Sequence, residues 1–223
     1  MPDLVSSALP TVAVRRSGHP VFNQVVEAFG RPIAAPSANR FGRISPTSAR
    51  DVLEELGGRI PLVVDGGSAV YGVESTVVAI EMGSGELRIL RSGPVLREEL
   101  EEFGKVLEGS KLEEGGVEAP GCLKSHYAPR IPMVLVDAYE DWTAEEERGE
   151  WGLLAWRSHR AGFGAAEVLS ERGDLREAAA TLFAKMRKLD ASGVKGILAE
   201  KVPMEGIGVA INDRLGKASY REE

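Results

Sequence analysis

Residues 34–49 read A-A-P-S-A-N-R-F-G-R-I-S-P-T-S-A, and the remainder of the chain is organised around them. Ile33, Ala34 and Ala35 have the character of the end of a buried strand, and Pro36 stops it. Ser37, Asn39, Gly42 and Ser45 then supply small polar groups and a flexible joint. Ser45-Pro46 has the form of an N-cap followed by proline at the first helical position. Behind it Ala49, Val52, Leu53 and Leu56 recur at helical spacing, and Gly57-Gly58 ends the run. The order strand, polar loop, helix N-terminus collects free backbone N–H groups and hydroxyls at the positive end of a helix dipole, which favours an anion such as phosphate. Arg40 and Arg43 act in the same direction. Taken alone, the same residues also serve as an ordinary turn with a cap.

Working outward, the rhythm is α/β. Residues 11–14 form a short β-type run ending at Arg15-Arg16, and His19-Pro20 opens an apolar pattern at Val21, Val25, Val26 and Phe29 that Gly30 closes. Leu62, Val63 and Val64 before Asp65-Gly66-Gly67 look like a strand buried on both faces with its exit turn. Residues 76–80 and 86–90 are further strands, and 95–103 a helix. The Gly-, Glu- and Lys-rich stretch from 104 to 120 reads as a linker, followed by A-P-G-C-L-K-S-H-Y-A-P at 119–129. Strand-like runs at 133–136, 151–156 and 194–199 then alternate with helices. In the first of these helices Asp174 is a cap with Glu177 as its box partner, and Leu175, Ala178, Ala179, Leu182, Met186 and Leu189 form the buried stripe. The second helix spans 207–215.

The 223 residues suit one large or two small domains. A single cysteine, Cys122, excludes an internal disulfide and fits a reducing cytosol, so a cytoplasmic location is expected. His19, His126 and His159 are scattered and give no readable metal site. The net charge of −7 argues against indiscriminate coating of nucleic acid, yet residues 10–60 carry seven arginines against four acids, a local excess that suits an anionic substrate. A serine-hydrolase reading of Ser37 fails, because no G-x-S-x-G elbow surrounds it.

T-V-A-V-R, H-P-V, A-A-P-S-A-N-R-F-G-R-I-S-P-T-S-A, V-V-D-G-G, G-V-E-S-T-V-V and L-R-S-G-P, in that order, resemble the second half of a YrdC-type domain of the threonylcarbamoyl-AMP synthases. A-P-G-C-L-K-S-H-Y-A-P is similar to the linker of the longer, two-domain synthases, and I-L-A-E-K-V-P-M-E-G-I-G-V-A-I-N-D-R-L resembles their C-terminal domain. The resemblance implies part of a YrdC-like twisted open sheet with helices at 1–104, a linker at 105–130 and a small Rossmann-like α/β domain at 131–223. It implies a nucleotidyltransferase that makes threonylcarbamoyl-AMP and pyrophosphate from L-threonine, bicarbonate and ATP, with Mg2+ accompanying ATP, for N6-threonylcarbamoyladenosine in tRNA. By motif, Thr11, Ser37, Asn39, Ser45, Arg91 and Tyr127 would serve ATP, with Tyr127 closing over the nucleotide as a lid. Arg15, Ala35 and Ser75 would serve threonine. No residue is assigned as a catalytic acid, base or nucleophile, or as a metal ligand.

Family members carry about as much chain again ahead of the position of Thr11, with a Lys/Arg-rich motif that grips the triphosphate, and residues 1–10 hold no equivalent. The expectation is an N-terminally shortened member with weak or absent activity alone, or one that works with a separate N-terminal half and with the tRNA threonylcarbamoyl-transfer machinery. The competing reading is a non-catalytic module that binds tRNA or double-stranded RNA.

Overall fold

The structure is a computed structural model that describes Ser6 and residues 11–109, 125–142 and 145–220. Cys122 and the greater part of the expected linker lie outside the described residues. The elements are helix α1 (Pro20–Phe29), α2 (Ala49–Leu56), strands β1 (Val77–Ile80) and β2 (Leu87–Arg91), α3 (Arg97–Glu101), β3 (Val106–Glu108), β4 (Met133–Val136), β5 (Trp151–Ala155), β6 (Ala165–Val168), α4 (Leu175–Asp190), β7 (Gly196–Glu200) and α5 (Gly208–Ser219).

Two sheets result, a mixed one in order β1-β2-β3 and an all-parallel one in order β4-β7-β5-β6. The parallel sheet is covered on both faces, which is why β4, β5 and β7 are apolar runs rather than alternating ones. Leu154, Ile197 and Ala199 pack with Ala178, Leu182, Phe183 and Met186 of α4 and with Ala210, Ile211 and Leu215 of α5. Leu153, Ala155 and Leu198 point to the other face, under Tyr139, Trp142 and Phe163. Ile44, Val73 and Tyr127 of the preceding part of the chain belong to the first of these clusters, so the core of the second unit extends into the loops of the first.

Several expected elements change. Residues 11–14, 33–35 and 62–64 form no strand; Val14 is 86% and Leu62 73% exposed, and their extended backbone finds no ladder partner among the described residues. Residues 106–108, expected in the linker, form β3, because Val106 is buried and the segment pairs in parallel with Leu87–Ile89. The helix expected from Pro46 starts at Ala49, with Ser48 as N-cap. The reason is Asp51: three residues after Ser48, it completes a capping box that Ser45 cannot form. Asp174 caps α4 as expected, but Glu177 does not close the box; its carboxylate accepts from the Ser170 hydroxyl at 2.6 Å, and Ser170 Oγ in turn accepts from Asp174 N at 2.9 Å. Strand β6, A-A-E-V, escapes a reading based on apolar runs because its residues are all only half-buried.

Candidate functional site

The polar loop after Pro36 is braced from within and clamped from outside. Asn39 Nδ2 donates to the carbonyls of Arg40 (2.8 Å) and Arg43 (3.1 Å), and Asn39 Oδ1 is buried without a partner. Gly42 takes φ +76°, a conformation glycine adopts at little cost, and lets the loop double back. Arg40 pairs with Glu55 (3.0 Å) and Arg43 with Asp190 (3.4 Å). Arg187, near the C-terminal end of α4, donates to the carbonyl of Ile44 and pairs with Glu55 at 3.2 Å. Burial works to raise the Glu55 pKa, but the hydrogen bonds and charges of Arg40 and Arg187 prevail and hold it below the ordinary carboxylate value. Arg40 and Arg43, the two arginines of the loop itself, are thus each paired with a carboxylate of the protein.

The N-terminus of α2 is not an open anion cup. Asp51 accepts from Thr47 N (2.8 Å) and Ser48 N (3.0 Å), and Ser48 Oγ accepts from Asp51 N (3.2 Å). Burial acts to raise the Asp51 pKa, and these bonds, with the charge of Arg187, bring it below the usual value instead. The expected Ser45 cap is corrected accordingly: Ser45 is buried, and its hydroxyl donates to Glu74 Oε1 at 2.7 Å.

Glu74 and Ser75 form the hub. Ser75 O accepts from Arg91 Nε (3.1 Å) and Nη2 (2.8 Å), while Ser75 Oγ accepts from Arg15 Nη1 (3.3 Å). Arg91 is therefore aimed at a backbone carbonyl, not out of the sheet as a free fork. Glu74 Oε2 accepts from Arg214 Nε at 3.0 Å. Close packing fixes this hub: a Cβ on Gly93 would lie 2.4 Å from Thr76 N, and one on Gly72 would lie 2.1 Å from the carbonyl oxygen of Ala179 in α4.

His126 and Tyr127 adjoin the hub. Tyr127 is 1% exposed, its ring 5.4 Å from Phe183 and 4.2 Å from His126. In this arrangement the ring stands as a wall of the core beside the hub. Burial pushes its phenol up to about 12. Burial likewise pulls the His126 imidazole below its ordinary value, with Glu74 opposing and Lys217, Arg214 and Arg91 adding to the shift. His126 Nδ1 is buried without a partner.

Of the residues singled out from sequence, the structure thus gathers Arg15, Ser75 and Arg91, and joins Ser45 to the same place through Glu74. Thr11, Ala35 and Ser37 are exposed, and no side-chain hydrogen bond links them to the hub among the described residues. Glu74 and Arg214 were missed. The available signal was a carboxylate inside G-V-E-S-T and, in I-N-D-R-L, an arginine three residues after Ile211 and one before Leu215, on the apolar side of the helix.

Two family models match the chain: one described as "Threonylcarbamoyl-AMP synthase, C-terminal domain" over residues 95–219, and one described as "Telomere recombination" over residues 1–93. The threonylcarbamoyl-AMP synthase of Pyrococcus abyssi is 35% identical over an alignment covering 99% of this chain and 68% of that protein. The Bacillus subtilis threonylcarbamoyl-AMP synthase is also 35% identical, over 96% of this chain and 65% of its own length. The crystal structure of P. abyssi Sua5 complexed with L-threonine superposes with a TM-score of 0.84 at 34% identity, covering 98% of this chain and 66% of that one. The chain spans about two thirds of the length of these relatives.

Proposed function

The chain belongs to the Sua5/YrdC-type threonylcarbamoyl-AMP synthase family, and from that premise we propose that it takes part in forming threonylcarbamoyl-AMP from L-threonine, bicarbonate and ATP. The observation that carries the reading is the convergence of Arg15 and Arg91 on Ser75, with Ser45 bound to the neighbouring Glu74. The related archaeal protein crystallised with L-threonine supports placing the amino acid here.

In the proposed reaction the threonine nitrogen takes up the bicarbonate carbon with loss of water. A carbamate oxygen then attacks the α-phosphorus of ATP, the bond from that phosphorus to the bridging oxygen breaks, and pyrophosphate leaves. The task of the protein is to hold anions in line and offset their charge, so no side chain need act as nucleophile. Arg15, exposed and, among the described residues, bonded through one nitrogen to a neutral hydroxyl, can turn its planar fork to the threonine carboxylate. Arg91 fixes the carbonyl of Ser75 and thereby the place of its hydroxyl. The loop holding Ser37, Asn39 and Ser45 receives the nucleotide. Mg2+ would enter on the triphosphate as part of the substrate. The adenylate would pass to a tRNA-modifying transferase.

The test is pyrophosphate release by the purified chain, with threonine affinity measured by calorimetry. Release that requires both threonine and bicarbonate, and threonine binding that is lost in Arg15→Ala, are expected. Release indifferent to either co-substrate, or no threonine binding, would overturn the reading.

A further inference from the structure

Arg214 belongs to α5 of the second unit, yet its principal partner lies 140 positions away in the first. Its side chain is 0% exposed. Nε donates to Glu74 Oε2 at 3.0 Å, Nη1 donates to Asp213 Oδ2 at 2.9 Å, and the guanidinium lies 5.7 Å from the centre of the Tyr127 ring. The remaining nitrogen, Nη2, is buried with no hydrogen-bond partner. Stripping a guanidinium of water costs several kcal/mol, and an apolar side chain would fill the same space at lower cost. A buried cation with an unused donor therefore calls for a role beyond stability.

The other oxygen of Glu74 supplies that role. Ser45 has one hydroxyl proton, and here it goes to Glu74. A nucleotide phosphate has only acceptors, so to hold one Ser45 must swing its proton away from Glu74. That move leaves a half-buried carboxylate oxygen short of a donor, close to an incoming polyanion, and both effects oppose binding.

Resting on the synthase reading above, we infer that Arg214 is a positioning residue for the nucleotide half of the site: it neutralises Glu74 and keeps Nη2 in reserve to take the carboxylate oxygen that Ser45 releases when phosphate arrives. The second unit thus completes the nucleotide site through a residue that touches no substrate. Arg214 acts entirely through Glu74 and Ser45, so its effect falls on ATP and not on threonine.

The experiment measures ATP and threonine affinities by calorimetry for the wild-type chain and for Arg214→Met, Glu74→Gln/Arg214→Met, Ser45→Ala and Ser45→Ala/Arg214→Met. Arg214→Met is expected to weaken ATP by about tenfold, since it leaves the half-buried Glu74 carboxylate without its cation beside the phosphate, with threonine affinity within about twofold. Adding Glu74→Gln removes the stranded charge, restores folding should the single variant lose it, and recovers most of the ATP affinity. In the Ser45→Ala background the arginine change should add much less than it does alone, the non-additivity of groups acting in series. Equal losses for ATP and threonine, additivity with Ser45→Ala, or unchanged ATP affinity in a folded Arg214→Met chain would each overturn the inference. A wild-type chain that binds threonine but not ATP would overturn the synthase reading itself, and the inference with it.

Discussion

Tyr127 has φ +65°, alone among the described non-glycine residues in taking a left-handed backbone. Such a conformation costs roughly 1–3 kcal/mol at a non-glycine residue. Here it is offset by a ring buried against Phe183 and below Arg214. The same burial disfavours the phenolate and raises the folded-state pKa from 10.0 to about 12. A group whose folded pKa lies above its unfolded one contributes stability that is complete below the unfolded value and is lost as pH climbs through the folded one. The window is therefore pH 10 to about 12. In denaturant titrations across it, the wild-type chain should lose on the order of 2 kcal/mol more than Tyr127→Phe. Parallel losses would show that the phenol is not held from water. The H-Y pair was legible as special in the sequence, because it stood between prolines without periodicity. Its burial was not, since an aromatic ring in an irregular segment reads equally as flap or anchor until a core is seen to receive it.

The caps of α2 and α4 show how far local signals carry an element. The apolar spacing identified α2 correctly, yet the choice between Ser45 and Ser48 as cap turned on Asp51, three residues after the second and six after the first. No apolar residue of α2 is buried, and beyond the Glu55 carboxylate, which Arg40 and Arg187 hold, the helix leans on its capping box more than on packing. Ser48→Ala should cost about 1 kcal/mol within the helix. Hydrogen exchange is expected to show faster exchange over residues 52–56 with no change in α4 or β7; uniform acceleration through all three would show that α2 is energetically part of the core. Strands β3 and β6 were the elements least visible in sequence. Each is short and draws its identity from a neighbour, β3 from β2 and β6 from β5. Conversely, residues 11–14, 33–35 and 62–64 have strand composition and no strand, because a ladder needs a second chain segment as well as suitable residues.

At the scale of the molecule the two units are joined by ionic contacts around one buried carboxylate. Asp190 Oδ1 accepts from Arg130 N (2.6 Å) and Ile131 N (3.3 Å), while Oδ2 meets Arg130 Nε (2.8 Å) and Arg43 Nη2 (3.4 Å). Asp190 is the last residue of α4, Arg43 lies in the loop of the site and Arg130 precedes β4, so a single side chain ties helix, loop and sheet together. Asp190→Ala leaves the N–H groups of Arg130 and Ile131 without their acceptor, while the half-exposed Arg130 guanidinium returns to water, and should cost about 1–3 kcal/mol. Urea unfolding measures it, and limited proteolysis should cut the chain between residues 40 and 45 sooner than in the wild type; a loss below about 1 kcal/mol would mean that the contacts are surface pairs of little worth. Among the described residues no helix is long and apolar enough to cross a bilayer.

The amino-acid order by itself determined the α/β class, the helix of α4 with its apolar stripe, the turn glycines and the family resemblance. These rest on period, turn chemistry and motif order, which are encoded within a few neighbouring residues. Only the tertiary structure decided that Arg91 turns to the Ser75 carbonyl, that Ser45 gives its proton to Glu74, and that Arg214 reaches the same carboxylate from the far end of the chain. A buried charge selects its partner by proximity in the folded core, and sequence separations of 16, 29 and 140 residues leave no local trace of that selection.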